Sequence, residues 1–145
     1  MKKASWILLV LVGALTLLGS FASLYTAYAG GAPDPLTPSI MLDDVAAGRP
    51  EVATAIRARR GTAAAFAAAY AVLFLAVVLG PYRRGDAWSW WTLLAAALTL
   101  GIFIMARVPA LGTRAGAGTG LVQLTVVIVA LLLDVRRLRH PPPAA

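Results

Sequence analysis

Four long apolar segments, each free of charged residues, alternate with short polar segments along the chain. The apolar segments are residues 4–29, 61–80, 87–106 and 115–133. A helix rises about 1.5 Å per residue, so about 20 residues cross the ~30 Å hydrocarbon layer of a bilayer. None of the segments alternates polar and apolar residues with the period of two that is typical of a membrane barrel strand. The pattern therefore predicts four transmembrane helices.

The composition agrees with this pattern, since 60% of the residues are hydrophobic and 13% are charged. A water-soluble domain has about 45–50% apolar and about 25% charged residues. The chain has no cysteine, which excludes disulfides and thiolate metal sites. We predict an all-α membrane protein, in which one integral membrane domain spans residues 1–145. Its fold is predicted to be an antiparallel four-helix transmembrane bundle.

The first apolar segment has two interpretations. Lys2 and Lys3 precede it, and Ala27-Tyr28-Ala29 fits the A-x-A pattern of a signal-peptide cleavage site. The apolar stretch is longer than the 7–15 residues of an ordinary signal peptide, which favours an uncleaved helix. Both interpretations place the following loop outside.

The orientation follows from the distribution of lysine and arginine. Segments 1–3, 81–86 and the tail 134–145 together carry seven of these residues in 21 positions, whereas segments 30–60 and 107–114 together carry six in 39. Cytoplasmic loops are enriched in positive charge. We therefore expect a multi-pass protein of a cell inner (plasma) membrane with both termini in the cytoplasm.

The loop of residues 30–60 is the longest connection. Thr37 and Pro38 favour the start of a short helix that ends at Gly48, and Pro50 favours a second start. The second helix either belongs to the loop or runs through Gly61 into the next apolar segment. The sequence thus predicts a short helical extracytoplasmic cap between the first and second membrane helices.

Four spans with a large first loop resemble small bacterial membrane proteins of the DoxX type. The resemblance concerns the number of spans and the size of that loop. It assigns no role to any residue of this chain.

No catalytic signature occurs in the sequence, and no charged residue interrupts an apolar segment. Proton relays and ion-coupled carriers depend on ionisable groups within the membrane, so these two classes are disfavoured. We expect no catalytic residue, no metal, no cofactor and no nucleic-acid partner.

One polar residue in each apolar segment lies eight or nine positions inward of the predicted outer end, at a depth of about 12 Å. Such groups need hydrogen-bond partners in lipid. They form either interhelical hydrogen bonds or a polar pocket that opens to the outside. The four residues are Ser20, Tyr70, Thr99 and Gln123.

Three arginines, Arg60, Arg107 and Arg114, are predicted at the outer mouth of the bundle. They either pair with the acidic residues of the first loop or bind an anionic headgroup through bidentate hydrogen bonds. Gly116 and Gly120 open the fourth apolar segment, where four-residue spacing favours close helix packing. A second hypothesis for the glycines is an anion site at the helix start beside Arg114.

The second apolar segment is rich in alanine and has an aromatic row at four-residue spacing, Phe66, Tyr70 and Phe74. Small residues allow close helix approach, so this helix is expected to lie centrally in the bundle.

The leading functional hypothesis is a small, non-enzymatic, bacterial-type membrane protein that binds a lipid or a protein partner through its outer face. Its expected partners are membrane lipids, a second copy of the chain or another membrane protein. Two alternatives are an oligomeric small-molecule carrier and an enzyme that acts on a lipid-like substrate in the polar pocket.

Overall fold

A computed structural model describes residues 2–29, 48–111 and 117–135, and these are almost entirely helical. The helices are α1 (Lys2–Ala29), α2 (Pro50–Val77), α3 (Ala87–Leu111) and α4 (Ala117–Leu133), and a π-helical turn, Val78–Tyr82, follows α2. The all-helical class is thereby confirmed. The first predicted helix of the outer cap, residues 38–47, lies outside the described residues.

Three helices are long and apolar enough to cross a membrane, namely Lys3–Ala29, Pro50–Tyr82 and Ala87–Ala110. The fourth apolar helix, α4, has 17 residues and is shorter, with a length of about 25 Å. Its first turn contains Gly118 and Gly120, and glycine costs about 1 kcal/mol in a helix relative to alanine.

Helix α2 starts where the sequence offers a helix start. Pro50 occupies the first turn, and Glu51 places a negative charge at the positive end of the helix dipole. The amide of Val52 donates to the Arg49 carbonyl at 3.1 Å. The helix passes Gly61 without a break, so the segment from Pro50 and the second apolar segment form one helix.

The end of α2 adapts to Pro81, which has no backbone N–H to donate. The wider π-helical turn accommodates this proline. The chain then closes in a Schellman motif, in which Gly85 N donates to Tyr82 O at 3.2 Å and Asp86 N donates to Pro81 O at 3.1 Å. Gly85 has a φ of +104°, a conformation that glycine adopts without a steric penalty.

The chain divides into two compact units, one formed by Met1–Ala14 with Leu73–Ala145 and the other by Leu15–Val72. Large side chains fill the core of the first unit. The fully buried examples are Leu9, Val78, Tyr82, Leu93 and Leu131.

Two glycines bring α3 and α4 close together in the first unit. A Cβ atom added at Gly120 would lie 2.5 Å from Ile104 Cδ1, and one at Gly101 would lie 2.7 Å from Leu124 Cδ2. At each of these two glycines, a large side chain of the opposite helix packs directly against the backbone. This agrees with the packing hypothesis for Gly120, whereas Gly116 lies outside the described residues.

The second unit is packed mainly by small residues, and its buried apolar side chains are Ala27, Ala53, Ala64 and Ala71. At Gly61, an added Cβ atom would lie 2.9 Å from the Tyr28 hydroxyl oxygen and 3.1 Å from Cζ of the same ring. The absence of a side chain at this glycine thus lets α2 approach the last turn of α1.

The three side chains of the aromatic row of α2 differ in their exposure. Phe66 is 73% exposed, Tyr70 is half-buried and Phe74 is 5% exposed. A step of four residues turns about 40° beyond a full helical turn, so the row rotates from an exposed face into the core.

We predict that Gly13→Ala destabilises the protein by about 1–3 kcal/mol, the usual cost of overpacking. An added Cβ atom would lie 2.6 and 2.7 Å from two atoms of Leu75 and 3.2 Å from the Phe74 ring. Thermal unfolding of the purified protein in detergent measures the effect.

Gly19→Ala in the same helix is the matched control, because nothing lies within 4 Å of an added Cβ atom there. Its expected effect ranges from neutral to about 1 kcal/mol of stabilisation through helix propensity. Equal unfolding temperatures of the two variants would contradict the packing described at Gly13.

Candidate functional site

Ser5 of the first unit is a fully buried polar side chain with two hydrogen-bond partners from other segments. Its hydroxyl donates to the Ala130 carbonyl at 2.7 Å and lies 2.6 Å from the Tyr82 hydroxyl oxygen. A serine has one O–H to donate, and this proton is committed to Ala130. Tyr82 is therefore the donor in the hydrogen bond between the two hydroxyls.

The carbonyls that these groups reach lie at the end of α4. The last four carbonyls of a helix lack partners within the helix. The Trp90 indole Nε1 donates to Leu131 O at 2.9 Å, and the amide of Asp134 donates to the same carbonyl at 3.1 Å. Ser5, Tyr82 and Trp90 thus form a carbonyl cap, through which α1, the π-helical turn and α3 hold the end of α4.

The carbonyl cap has a structural purpose in an apolar environment. A buried polar group without a partner costs about 1–3 kcal/mol, and lipid offers no water to replace that partner. The Tyr82 ring is fully buried. The π-helical turn adds one residue relative to an α-helical turn and so sets the direction in which this ring leaves the backbone.

An acidic side chain lies at the same end of α4. Asp134 is 2% exposed, and it follows the last helical residue, Leu133. A negative charge near a helix C-terminus is unfavourable for the helix dipole. A buried carboxylate at this position is therefore a candidate functional group. The sequence signal for it is an acidic residue that directly follows an apolar span.

A second polar arrangement in this unit joins α1 to the end of α2. The Arg83 guanidinium carbon lies 5.4 Å from the centre of the Trp6 ring, which is within the range of a cation–π interaction. The Trp6 Nε1 atom is buried, and in the part of the chain that the structure describes it has no hydrogen-bond acceptor. Lys3 lies one turn before Trp6 on the same helix face.

The four residues of the predicted polar layer fall in different units. Ser20 and Tyr70 belong to the second unit, whereas Thr99 and Gln123 belong to the first. Ser20 is buried, and its hydroxyl donates to Thr16 O of its own helix at 2.7 Å. Thr99 is exposed, and Tyr70 and Gln123 are half-buried. The shared pocket remains a prediction.

The predicted outer arginines are described only in part. Arg60 is half-buried on α2, and Arg107 belongs to α3, although its side chain lies outside the described residues. Arg114 also lies outside them. Headgroup binding by these three residues together therefore remains a prediction.

Three arginines of α2, Arg57, Arg59 and Arg60, lie within one turn of each other, and we call them the arginine turn. Arg59 is exposed. Arg57 and Arg60 are half-buried, and each is already engaged in an interaction within the chain.

No family model matches the chain, and no curated protein and no solved structure shows significant similarity to it. Functional inference therefore rests on the geometry of these residues.

We predict that Ser5→Ala destabilises the protein by about 1–3 kcal/mol, because it removes the donor to the buried Ala130 carbonyl and the hydrogen bond to the Tyr82 hydroxyl. Tyr82→Phe leaves the hydrogen bond between Ser5 and Ala130 in place and is expected to cost less. Unfolding in a denaturing detergent measures both changes.

The matched control is Ser20→Ala, since the Ser20 hydroxyl bonds only within its own helix in the contacts described. Membrane hydrogen bonds average about 0.6 kcal/mol, so this variant should remain close to the parent. A larger loss for Ser20→Ala than for Ser5→Ala would refute the carbonyl cap as the main polar anchor.

Proposed function

We propose that this chain is a non-enzymatic, multi-pass membrane protein that binds the phosphate groups of anionic lipids through its arginine turn. The observation that carries this proposal is the level of Arg57, Arg59 and Arg60 relative to the end of α1. Two features of the second unit define that level: the contact at Gly61 and the continuation of α2 beyond it.

Helix α2 continues past the end of α1. Gly61 meets the ring of Tyr28, which lies in the last turn of α1. From that contact, α2 extends back to Pro50, a length of about 16 Å at 1.5 Å per residue. The arginine turn occupies the first ~6 Å of this extension.

These distances match the headgroup layer of a bilayer. A bilayer is about 40–45 Å thick with headgroups and about 30 Å without them, which leaves roughly 5–8 Å on each side. If the end of the apolar α1 marks the hydrocarbon boundary, the arginine turn lies at the level of the lipid phosphates. Val52, about 14 Å beyond the contact, stands outside this layer.

The three arginine side chains are not equally available to bind a phosphate group. Arg59 is exposed and is therefore the most accessible of the three. Arg57 and Arg60 contribute positive charge beside it while they retain their interactions within the chain. A guanidinium binds a phosphate through two parallel hydrogen bonds, which an ammonium group does not reproduce.

The proposal includes a topology. All four helices cross the inner (plasma) membrane as an antiparallel bundle, both termini are cytoplasmic, and the arginine turn lies at the outer face. The paired lysines beside α1 and the higher share of basic residues in segments 1–3, 81–86 and 134–145 support this orientation.

The test is a titration of the purified full chain with phosphatidylglycerol, followed by native mass spectrometry. Arg59→Gln combined with Arg60→Gln should weaken binding about 30-fold, since each basic residue near a membrane surface contributes about 1 kcal/mol. Phosphatidylcholine, which has no net charge, serves as the reference lipid.

Two matched pairs complete this test. Arg59→Lys combined with Arg60→Lys keeps the charge and should lose much less affinity. Arg49→Gln combined with Arg84→Gln removes the same charge from two exposed positions outside both proposed sites and should change the affinity much less. Parental affinity in the Arg59→Gln and Arg60→Gln variant would overturn the proposed function.

A further inference from the structure

The indole of Trp6 presents an unusual buried donor. Its Nε1 atom is buried, and within the described residues no oxygen accepts its proton. By contrast, the indole of Trp90 donates to a carbonyl at 2.9 Å. Most buried polar side-chain atoms in proteins have a partner, and each exception calls for an explanation.

The surroundings of Trp6 favour a negatively charged acceptor. Arg83 lies over its ring, and Lys3 precedes it by one helical turn. Both cations are exposed, and neither forms an ion pair among the described residues. Arg84 is 3.8 Å from Asp86, with side-chain exposures of 72% and 34%, which makes it a weak surface pair.

The position of Trp6 along α1 indicates which kind of anion could reach it. Trp6 lies at the start of the apolar part of α1, soon after Lys2 and Lys3. In a bilayer, the start of such an apolar stretch lies near a boundary of the hydrocarbon layer. Exposed tryptophans of the same unit, Trp88 at 55% and Trp91 at 58%, are typical of that boundary.

We propose that Trp6, Arg83 and Lys3 form a binding site for the phosphodiester group of a membrane phospholipid. The indole N–H donates to one phosphate oxygen, the guanidinium donates two further hydrogen bonds, and the ammonium group adds charge. The Nε1 atom is buried in this structure, so binding requires movement of the side chains that cover this edge of the ring. This site is separate from the arginine turn and does not depend on the proposed function.

The experiment compares Trp6→Phe with the parent chain in a titration with phosphatidylglycerol. Phenylalanine keeps an aromatic ring beneath Arg83 and removes only the N–H donor. A hydrogen bond to a charged group contributes enough for a loss of about tenfold in affinity. Trp88→Phe removes an exposed indole and is the matched control, with an expected change of less than about twofold.

A second variant guards against a folding defect at Trp6. Lys3→Gln changes an exposed side chain and should weaken binding about fivefold. Native mass spectrometry resolves complexes with one and with two bound lipids, so Lys3→Gln should weaken one binding event and the Arg59→Gln and Arg60→Gln variant the other. Combining the three substitutions should weaken both events. If only one of the two variants has an effect, the site changed in the other variant is the one that fails.

Inorganic phosphate alone distinguishes the two sources of the same chemistry. Weak binding of phosphate beside strong binding of phosphatidylglycerol supports the lipid site. Equal binding of both would assign the site to a free anion and overturn the lipid proposal. Parental lipid affinity in Trp6→Phe and Lys3→Gln, or an equal loss in Trp88→Phe, would overturn the site itself.

Discussion

The carbonyl groups at the end of α4 impose the constraint on which the first unit depends. A helix end leaves its last carbonyls without donors, and an apolar environment supplies none. The chain meets this need with Ser5 from α1 and Trp90 from α3, while Tyr82 completes the chain of hydroxyls. Three elements are thereby held to one helix end, so a polar requirement of the backbone orders an otherwise apolar unit.

Packing in the two units relies on different side chains for the same physical reason. In lipid, which is as apolar as a leucine side chain, helices associate through close contact and not through the removal of apolar surface from water. Large residues interlock with glycines in the first unit, as at Gly120 and Ile104. The second unit uses alanines and the contact between Gly61 and Tyr28. That contact also sets the level of the arginine turn relative to α1.

Charge has a consistent place in both proposed sites. The arginine turn follows the end of the apolar part of α1, and Trp6 with Lys3 and Arg83 lies near its beginning. Guanidinium and indole donors suit the oxygens of a phosphate group. Both proposed sites therefore rely on one kind of hydrogen-bond chemistry.

Composition and the spacing of charged residues were sufficient to predict an all-helical chain with long apolar helices, because apolar runs of this length satisfy their backbone only as helices. The positions of proline and glycine in the sequence also indicated the helix start at Pro50 and the close helix approach at Gly120. The carbonyl cap and the position of Arg83 over Trp6 required the tertiary structure. The residues that form these contacts lie far apart in the sequence. No local periodicity of the sequence indicates which helix faces pack together. Spacing alone predicts the depth of a polar residue, whereas helix packing decides which group becomes its hydrogen-bond partner.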